Sequence, residues 1–441
     1  MKKLLLILLC FPMIGFGQQT YVPDDNFEQA LINLGYDFFL DDYVTTANIN
    51  TVGALVLQSQ NISDLTGIED FTALSYLECS SNQLTFLDVS QNTALTTLYC
   101  WGNQLSSLDV SQNTSLIYFS CNSNQLTSLD VSQNIDLLSL WCNDNQLTIL
   151  DVTSNDTLVY LHCDNNQLAT LNLNGANALT TLYGSSNPLT SLDVSQNTAL
   201  SLLYCDNNQL TSIDVSNNAS LEHLNCYNNQ ITSLDITQNT FLETLSCDST
   251  QITSLDLTQN TALSHLSCNS TQITSLDVSQ NIFLEFLGCC NNQLTSLDVT
   301  QNTFLEGLDV RGNQLTSLDL TQHTFLEALA CSDNQLAFLD LRNGNNISLE
   351  FLWCNSNPNL SCINVDDSVW SNTNWISSLY YTFDPQHYFS NNCSGTGIEE
   401  HTINKHLLKV TDLLGRETKQ TNQPLFYIYD DGTVEKRIVI E

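Results

Sequence analysis

The sequence predicts a repeat solenoid: a right-handed coil with a parallel β-sheet on its concave face, a helical cap at the N-terminal end and a small all-β domain at the C-terminal end. Three observations carry this. Stepping by 21 from residue 88 to 340 visits 13 positions, and 12 of them are Asp, Asn172 being the exception. The same step from 82 to 334 finds Asn eleven times, with Thr250 and Thr271 as substitutes. From 79 to 331 it finds Cys eleven times, broken by Gly184 and Val310. A unit of that length cannot bury its apolar side alone, so the period itself implies stacked coils.

One copy shows the mechanics: Leu95-Thr-Thr-Leu98-Tyr-Cys100-Trp-Gly-Asn103-Gln-Leu105-Ser-Ser-Leu108-Asp109-Val110. Through Leu98–Cys100 the period is two, which sends Leu98 and Cys100 inward and Thr97, Tyr99 and Trp101 outward. Asn103 turns the chain out of the strand; its amide can bond backbone groups of the turn, and stacked copies form a ladder. Leu105, Leu108 and Val110 return inward along the opposite wall. The pattern L-x-x-L-x-C-x-x-N-Q-L-x-x-L-D-V resembles the leucine-rich repeat family in its short bacterial form, with Cys at the third Leu position. The resemblance covers about residues 55–365.

Taken in order, Met1-Lys-Lys followed by Leu4–Phe16 has the basic start and short apolar core of a secretory signal, with Gly15 and Gly17 placing the mature start at Gln18. Residues 1–17 are therefore read as a signal peptide. Residues 18–50 read as an N-terminal cap: Pro23-Asp-Asp-Asn26 starts a helix, Phe27, Ala30, Leu31 and Leu34 form one face, and Gly35 ends it. The repeats run over 51–365. Residues 366–393, with Trp370, Trp375, Tyr380, Tyr381, Phe383, Tyr388 and Phe389, read as the C-terminal cap. Cys362 and Cys393 lie off the 21-step and bracket that segment; in an exported chain they are expected to form a disulfide. Residues 394–404 form a polar linker. In 405–441, Asp431-Gly432 between Leu425-Phe-Tyr-Ile-Tyr429 and Val434–Ile440 is a hairpin signal. That tail resembles the C-terminal sorting domain of the Bacteroidetes type IX secretion system, through Lys409-Val-Thr-Asp-Leu-Leu-Gly415, Pro424–Tyr429 and the basic Lys436-Arg437. The resemblance implies a chain handled by that secretion machinery and delivered to the cell surface or medium.

Charge narrows the partners. Between Gln18 and Asn404 the chain holds 41 of its 47 acids and only Arg311 and Arg342 as bases, a net of −39. Nucleic-acid binding is excluded, because phosphate needs cationic contacts. An acidic solenoid favours cationic or neutral partners.

The chemistry-bearing residue types point away from catalysis. The chain has no G-x-S-x-G, H-E-x-x-H, G-x-x-x-x-G-K or C-x-x-C motif, so no catalytic residue, cofactor or metal set is assigned. His162, His223 and His265 are expected on the concave strands without a fixed partner. Ladder cysteines repeat about 4.8 Å apart, but in-register side chains point the same way and are read as buried structural thiols rather than bridges. Unit charges at that spacing repel by roughly 0.9 kcal/mol even in water. The Asp row is therefore expected to bond N–H groups of its own D-V-S-x-N turn, the other open reading being calcium held between carboxylates.

The outward strand positions carry the functional signal: Tyr76, Tyr99, Trp101, Tyr118, Trp141, Tyr160, His162, Tyr183, Tyr204 and Tyr227. Beyond residue 230 they read as small and polar (Thr244, Ser246, Ser267, Gly288, Ala328) until Phe351 and Trp353. Aromatic enrichment on a solvent-facing sheet suits recognition of proteins or sugars. The leading expectation is an exported, non-enzymatic protein that binds a protein partner through its concave face. A polysaccharide-binding surface protein is the runner-up, and a purely structural surface rod, stiffened by calcium, is the third.

Overall fold

The computed structural model describes residues 17–376, 380–393, 407–411, 424–429 and 434–438. Residues 1–16 of the signal segment, the linker and the Asp431-Gly432 turn lie outside the described residues. The chain divides into two compact units, Met1–Asn391 and Asn392–Glu441.

The first unit is a solenoid. Three-residue strands from successive coils pair in parallel into a 16-stranded sheet that runs from Ala54–Val56 to Tyr381–Thr382. The register follows the period: Leu77 lies beside Leu98, Leu98 beside Phe119, and Leu182 beside Leu203. The wall behind this sheet carries shorter parallel pairings that the sequence pattern did not single out. Ile149–Asp151 pairs with Thr170–Asn172. Ser317–Asp319, Phe338–Asp340, Cys362–Asn364 and Tyr388–Ser390 form a four-stranded sheet.

Between the walls, Leu95, Leu98, Cys100, Leu105 and Val110 are all fully buried, and the same five steps are buried in neighbouring coils. Removing one such leucine side chain costs about 2–5 kcal/mol, so the stack of coils is held mainly by this apolar column. Thr97, expected to face outward, is in fact 8% exposed. It sits at the first strand position between Tyr76 and Tyr118 of the adjacent strands, and their larger side chains cover it.

Two amide ladders satisfy the backbone where the strands end. Asn103 Nδ2 donates to Cys79 O and Cys100 O at 3.1 Å each, and Asn124, Asn145 and Asn166 repeat the arrangement. A second ladder, absent from the sequence reading, uses the Asn of D-V-S-Q-N. Asn113 Nδ2 donates to Val89 O at 2.9 Å and Asn92 O at 3.0 Å, and Asn134 does the same to Val110 and Asn113. These asparagines are fully buried. They tie each coil to the one before it, because an unpaired buried carbonyl is costly.

The residue before each first-ladder position has a left-handed backbone. From Ser81 (φ 55°) through Gly102 (67°), Ser123 (54°), Asp144 (54°) and Asn165 (51°) to Asp333 (55°), every copy does so. The occupants are accordingly Ser, Gly, Asn or Asp, with no β-branched residue among them.

The N-terminal helix spans Asp25–Asn33 and is capped by Asp24, whose Oδ1 accepts from the N–H groups of Asn26 and Phe27. Phe27, Ala30 and Leu31 pack inward as expected, but Leu34 does not. It is the C-cap residue and is 45% exposed, since the chain leaves the helix there before Gly35 (φ 82°). The fourth buried position on the helix is Glu28, whose Oε1 accepts from the N–H groups of Asp41 and Tyr43. A two-stranded antiparallel ribbon, Gln19–Tyr21 with Tyr43–Thr45, lies beside it.

At the other end, the short helix Ser368–Asn374 is followed by the fully buried Trp375, which stacks on Tyr381 at 5.7 Å and meets Phe389 edge-on at 5.3 Å. Cys362 and Cys393 are disulfide-bonded, and the other thirteen described cysteines are free and buried. The second unit contains a three-stranded antiparallel sheet, Leu407–Thr411, Pro424–Tyr429 and Val434–Ile438.

Candidate functional site

The parallel register brings most of the outward aromatics into contact. Tyr76 and Tyr99, on adjacent strands, meet edge to face at 5.8 Å. Trp141 lies 5.1 Å from Tyr160, Tyr160 is 5.8 Å from Tyr183, His162 is 5.0 Å from Tyr183, and Tyr183 is 5.1 Å from Tyr204. Trp141, Tyr160, His162, Tyr183 and Tyr204 thus form one continuous strip over four strands. Their rings are half-buried against one another. Burial raises the hydroxyl pKa of Tyr160 and Tyr183 above the ordinary value, and also that of Tyr76 and Tyr99, where Glu78 adds to it.

The remaining predicted residues stand around this strip. Trp101 joins Tyr99 and Trp141 around a cleft of ≈ 530 Å³ whose polar lining comes from Gln58, Glu78, Ser120 and Asn122. Tyr118 is 41% exposed and projects from the strand between them. Tyr227 is held by its hydroxyl, which accepts from Asn207 Nδ2 at 2.9 Å.

Acidic side chains edge the strip where the strands end. Asp164 Oδ1 accepts the Ser185 N–H at 2.6 Å, and its Oδ2 lies 3.2 Å from His162 Nε2. Asp206 accepts from Ser185 Oγ, and Asp248 accepts from Ser267 Oγ and the Asn269 N–H. No cation of the repeats neutralises this rim. Arg311 is bound to Asp309 at 2.6 Å and lies over the Trp353 ring at 5.0 Å, and Arg342 is bound to Asp340.

One concave aromatic escaped the sequence reading. Phe286 stands at the first strand position, 39% exposed, amid the stretch read as small and polar. Its ring lies across its glycine neighbours: a Cβ on Gly307 would come within 2.8 Å of it, and one on Gly288 within 3.2 Å. The small residues there make room for a ring rather than leaving a bare surface.

The other two ladders offer no reactive chemistry. Burial pushes the thiols of Cys226 and Cys331 up to about 12, with nearby aspartates adding to the shift, so they remain protonated and unreactive. The Asp row bonds its own turns: the Ser111 N–H donates to Asp109 Oδ1 at 2.9 Å, and Thr237 donates through both its N–H and its hydroxyl to Asp235. These bonds hold the carboxyls of Asp109 and Asp235 below their ordinary pKa. Among the described residues no group of three or more His, Cys, Asp or Glu side chains is arranged to hold a metal ion.

No family model matches the chain. Internalin J of Listeria monocytogenes is 36% identical over 72 residues, a stretch that covers 16% of this chain and 8% of that protein's length. The solved functional domain of InlJ from Listeria monocytogenes, described as including a cysteine ladder, is 35% identical, with 73% of this chain and 77% of that one covered at a TM-score of 0.63. The internalin InlF of Listeria monocytogenes shares the fold at 23% identity, covering 70% of this chain and 95% of that one at a TM-score of 0.64.

Proposed function

Because the chain belongs to the internalin-like leucine-rich repeat proteins that carry a cysteine ladder, we propose that it is an exported protein whose concave aromatic strip docks a protein partner in adhesion or surface interaction. One observation carries this reading above the others. Tyr99, Trp101 and Trp141 surround a cleft, and the strip from Trp141 to Tyr204 continues from it without a gap. Large aromatic side chains with little rotamer freedom are the residues that dominate binding energy at protein interfaces. The acidic rim of Asp164, Asp206 and Asp248 adds a preference for partners with exposed Lys or Arg, because complementary charge speeds encounter.

A glycan ligand is the second reading, favoured by the polar groups Gln58, Ser120 and Asn122 beside Trp101 and Trp141 in the same cleft. Export rests on the terminal segments. Residues 1–17 act as a secretory signal and 405–441 as a type IX sorting domain, giving a product at the outer cell surface or in the medium. No helix of the described residues is long and apolar enough to cross a membrane.

Probing the purified repeats and a Tyr99→Ser/Trp101→Ser/Tyr118→Ser/Trp141→Ser variant in parallel on a surface-protein array and a glycan array separates these readings. Protein hits lost in the variant support the leading one. Glycan hits lost in the variant, with no protein hit, replace it with the second.

A further inference from the structure

A second series of aromatic residues lies off the concave strands: from Phe241 onward it stands in the turn that feeds each strand. Phe241, Phe283, Phe304 and Phe325 occupy one step of the 21-residue period, interrupted by Ala262, and each precedes a buried leucine. They remain 64, 54, 47 and 53% exposed. Phe283 and Phe304 stack at 6.3 Å with 28° between planes, and Phe304 and Phe325 at 6.0 Å with 14°. Two residues after each comes an exposed carboxylate: Glu243, Glu285, Glu306 and Glu327. Among the described residues none of these four is ion-paired.

The turn does not need the rings. Equivalent positions earlier in the chain carry Thr157, Ala199 and Ser220 with the same strand pairing after them. Stacking two rings is worth about 0.5–1.5 kcal/mol, yet half of each ring stays in water, so the ladder is apolar surface kept available. Its rungs repeat every 6.0 to 6.3 Å. An α-helix rises about 6 Å over four residues, so apolar side chains at i and i+4 meet successive rungs. The Glu row alongside calls for Lys or Arg on the flank of that helix. It also sets the edge against a second copy of this acidic chain and against an anionic lipid surface, both of which bring like charge.

We propose that the Phe283–Phe304–Phe325 edge with its Glu285–Glu306–Glu327 row is a second docking surface, separate from the concave strip, for a cationic amphipathic helix of a partner protein. The probe is a fluorescein-labelled helical peptide with Leu on one face and Lys on the other, titrated by anisotropy against the full repeat unit. The comparisons are a scrambled peptide of the same composition and vesicles of zwitterionic or anionic lipid. Binding is expected with Kd below about 100 μM. It should weaken at least about tenfold in Phe283→Ser/Phe304→Ser/Phe325→Ser, and equally in Glu285→Gln/Glu306→Gln/Glu327→Gln. It should stay within about twofold in the concave Tyr99→Ser/Trp101→Ser variant, which lies several coils away. Melting curves report whether each variant folds, and the Gln variant decides the matter if the Ser variant does not. The proposal is overturned by absent saturation, by equal binding of the scrambled peptide, by vesicle binding in place of peptide binding, or by loss in only one of two folded edge variants.

Discussion

Asn103 Oδ1 accepts the backbone N–H of Leu84, on the coil before its own, at 3.0 Å. Its Nδ2 reaches Cys100 O on its own coil and Cys79 O on the preceding one, so a single side chain closes its own turn and clamps the coil before it. At Thr250 and Thr271 a lone hydroxyl takes over and keeps only the bond to Cys247 O or Cys268 O on its own coil, with Thr271 also reaching Asn292. Thr250→Asn should therefore stabilise the solenoid, by about 1 kcal/mol in urea unfolding. Asn208→Ala should cost on the order of 3 kcal/mol, because the buried N–H of Leu189 and two carbonyls lose their partner. Equal midpoints for wild type and both variants would contradict the clamp.

The cysteine ladder behaves as packing. Cys226→Val should be tolerated within about 1.5 kcal/mol, as Val310 at the same step already shows, whereas Cys226→Ser places a hydroxyl in the apolar column and should cost about 1–3 kcal/mol. In native protein at about pH 8.5, alkylation should be slow at every ladder thiol. Cys290, which lies beside the ladder and is pushed up only to about 11, should react first. Mass mapping of the alkylated peptides reads the order.

His323 replaces asparagine in the second ladder and donates from Nε2 to Val299 O at 3.0 Å while fully buried. Burial lowers its pKa below the ordinary value. The unfolded chain therefore binds the proton more readily. The stability that neutral His323 contributes is complete above its unfolded value of about 6.5 and is lost as pH falls through that value towards the lower folded one. His323→Asn should remove this part of the acid dependence. Urea midpoints compared at about pH 7.5 and pH 5.5 check the difference, and aspartates common to both proteins cancel.

Reduction should act at the C-terminal end alone. A Cys362–Cys393 bridge closes a loop of about 30 residues and stabilises by roughly 3–4 kcal/mol. Dithiothreitol should therefore raise hydrogen exchange around Trp375 and Phe389 while leaving the coils near Leu98 unchanged.

The 21-step made the coil, the Cys and Asp roles and the first amide ladder readable from the sequence, because each rests on one position repeating with one chemistry. Other features were hidden for physical reasons. Asn113 and its equivalents sit among the polar letters of D-V-S-Q-N, and nothing local distinguishes a buried amide from an exposed one. Thr97 is covered by its neighbours on adjacent strands, which only the pairing reveals. Leu34 has the helical spacing of a core residue but falls where the helix has already ended. Phe286 hid within a stretch of small residues whose smallness serves it. The ten concave residues were readable as a group from period-two alternation. Which of them stack depends on ring orientation across strands, and the sequence does not carry that.

The most direct test of the concave-face account is the affinity of the Tyr99→Ser/Trp101→Ser/Tyr118→Ser/Trp141→Ser variant for a partner selected on the wild-type protein, measured together with its melting temperature beside that of Leu98→Ala. Exposed cross-strand pairs contribute about 0.2–1 kcal/mol each, whereas a buried leucine truncated to alanine costs about 2–5 kcal/mol. Binding should fall by at least about a hundredfold while melting shifts less than in Leu98→Ala. Full affinity in the variant, or unfolding as severe as that of Leu98→Ala, would contradict it.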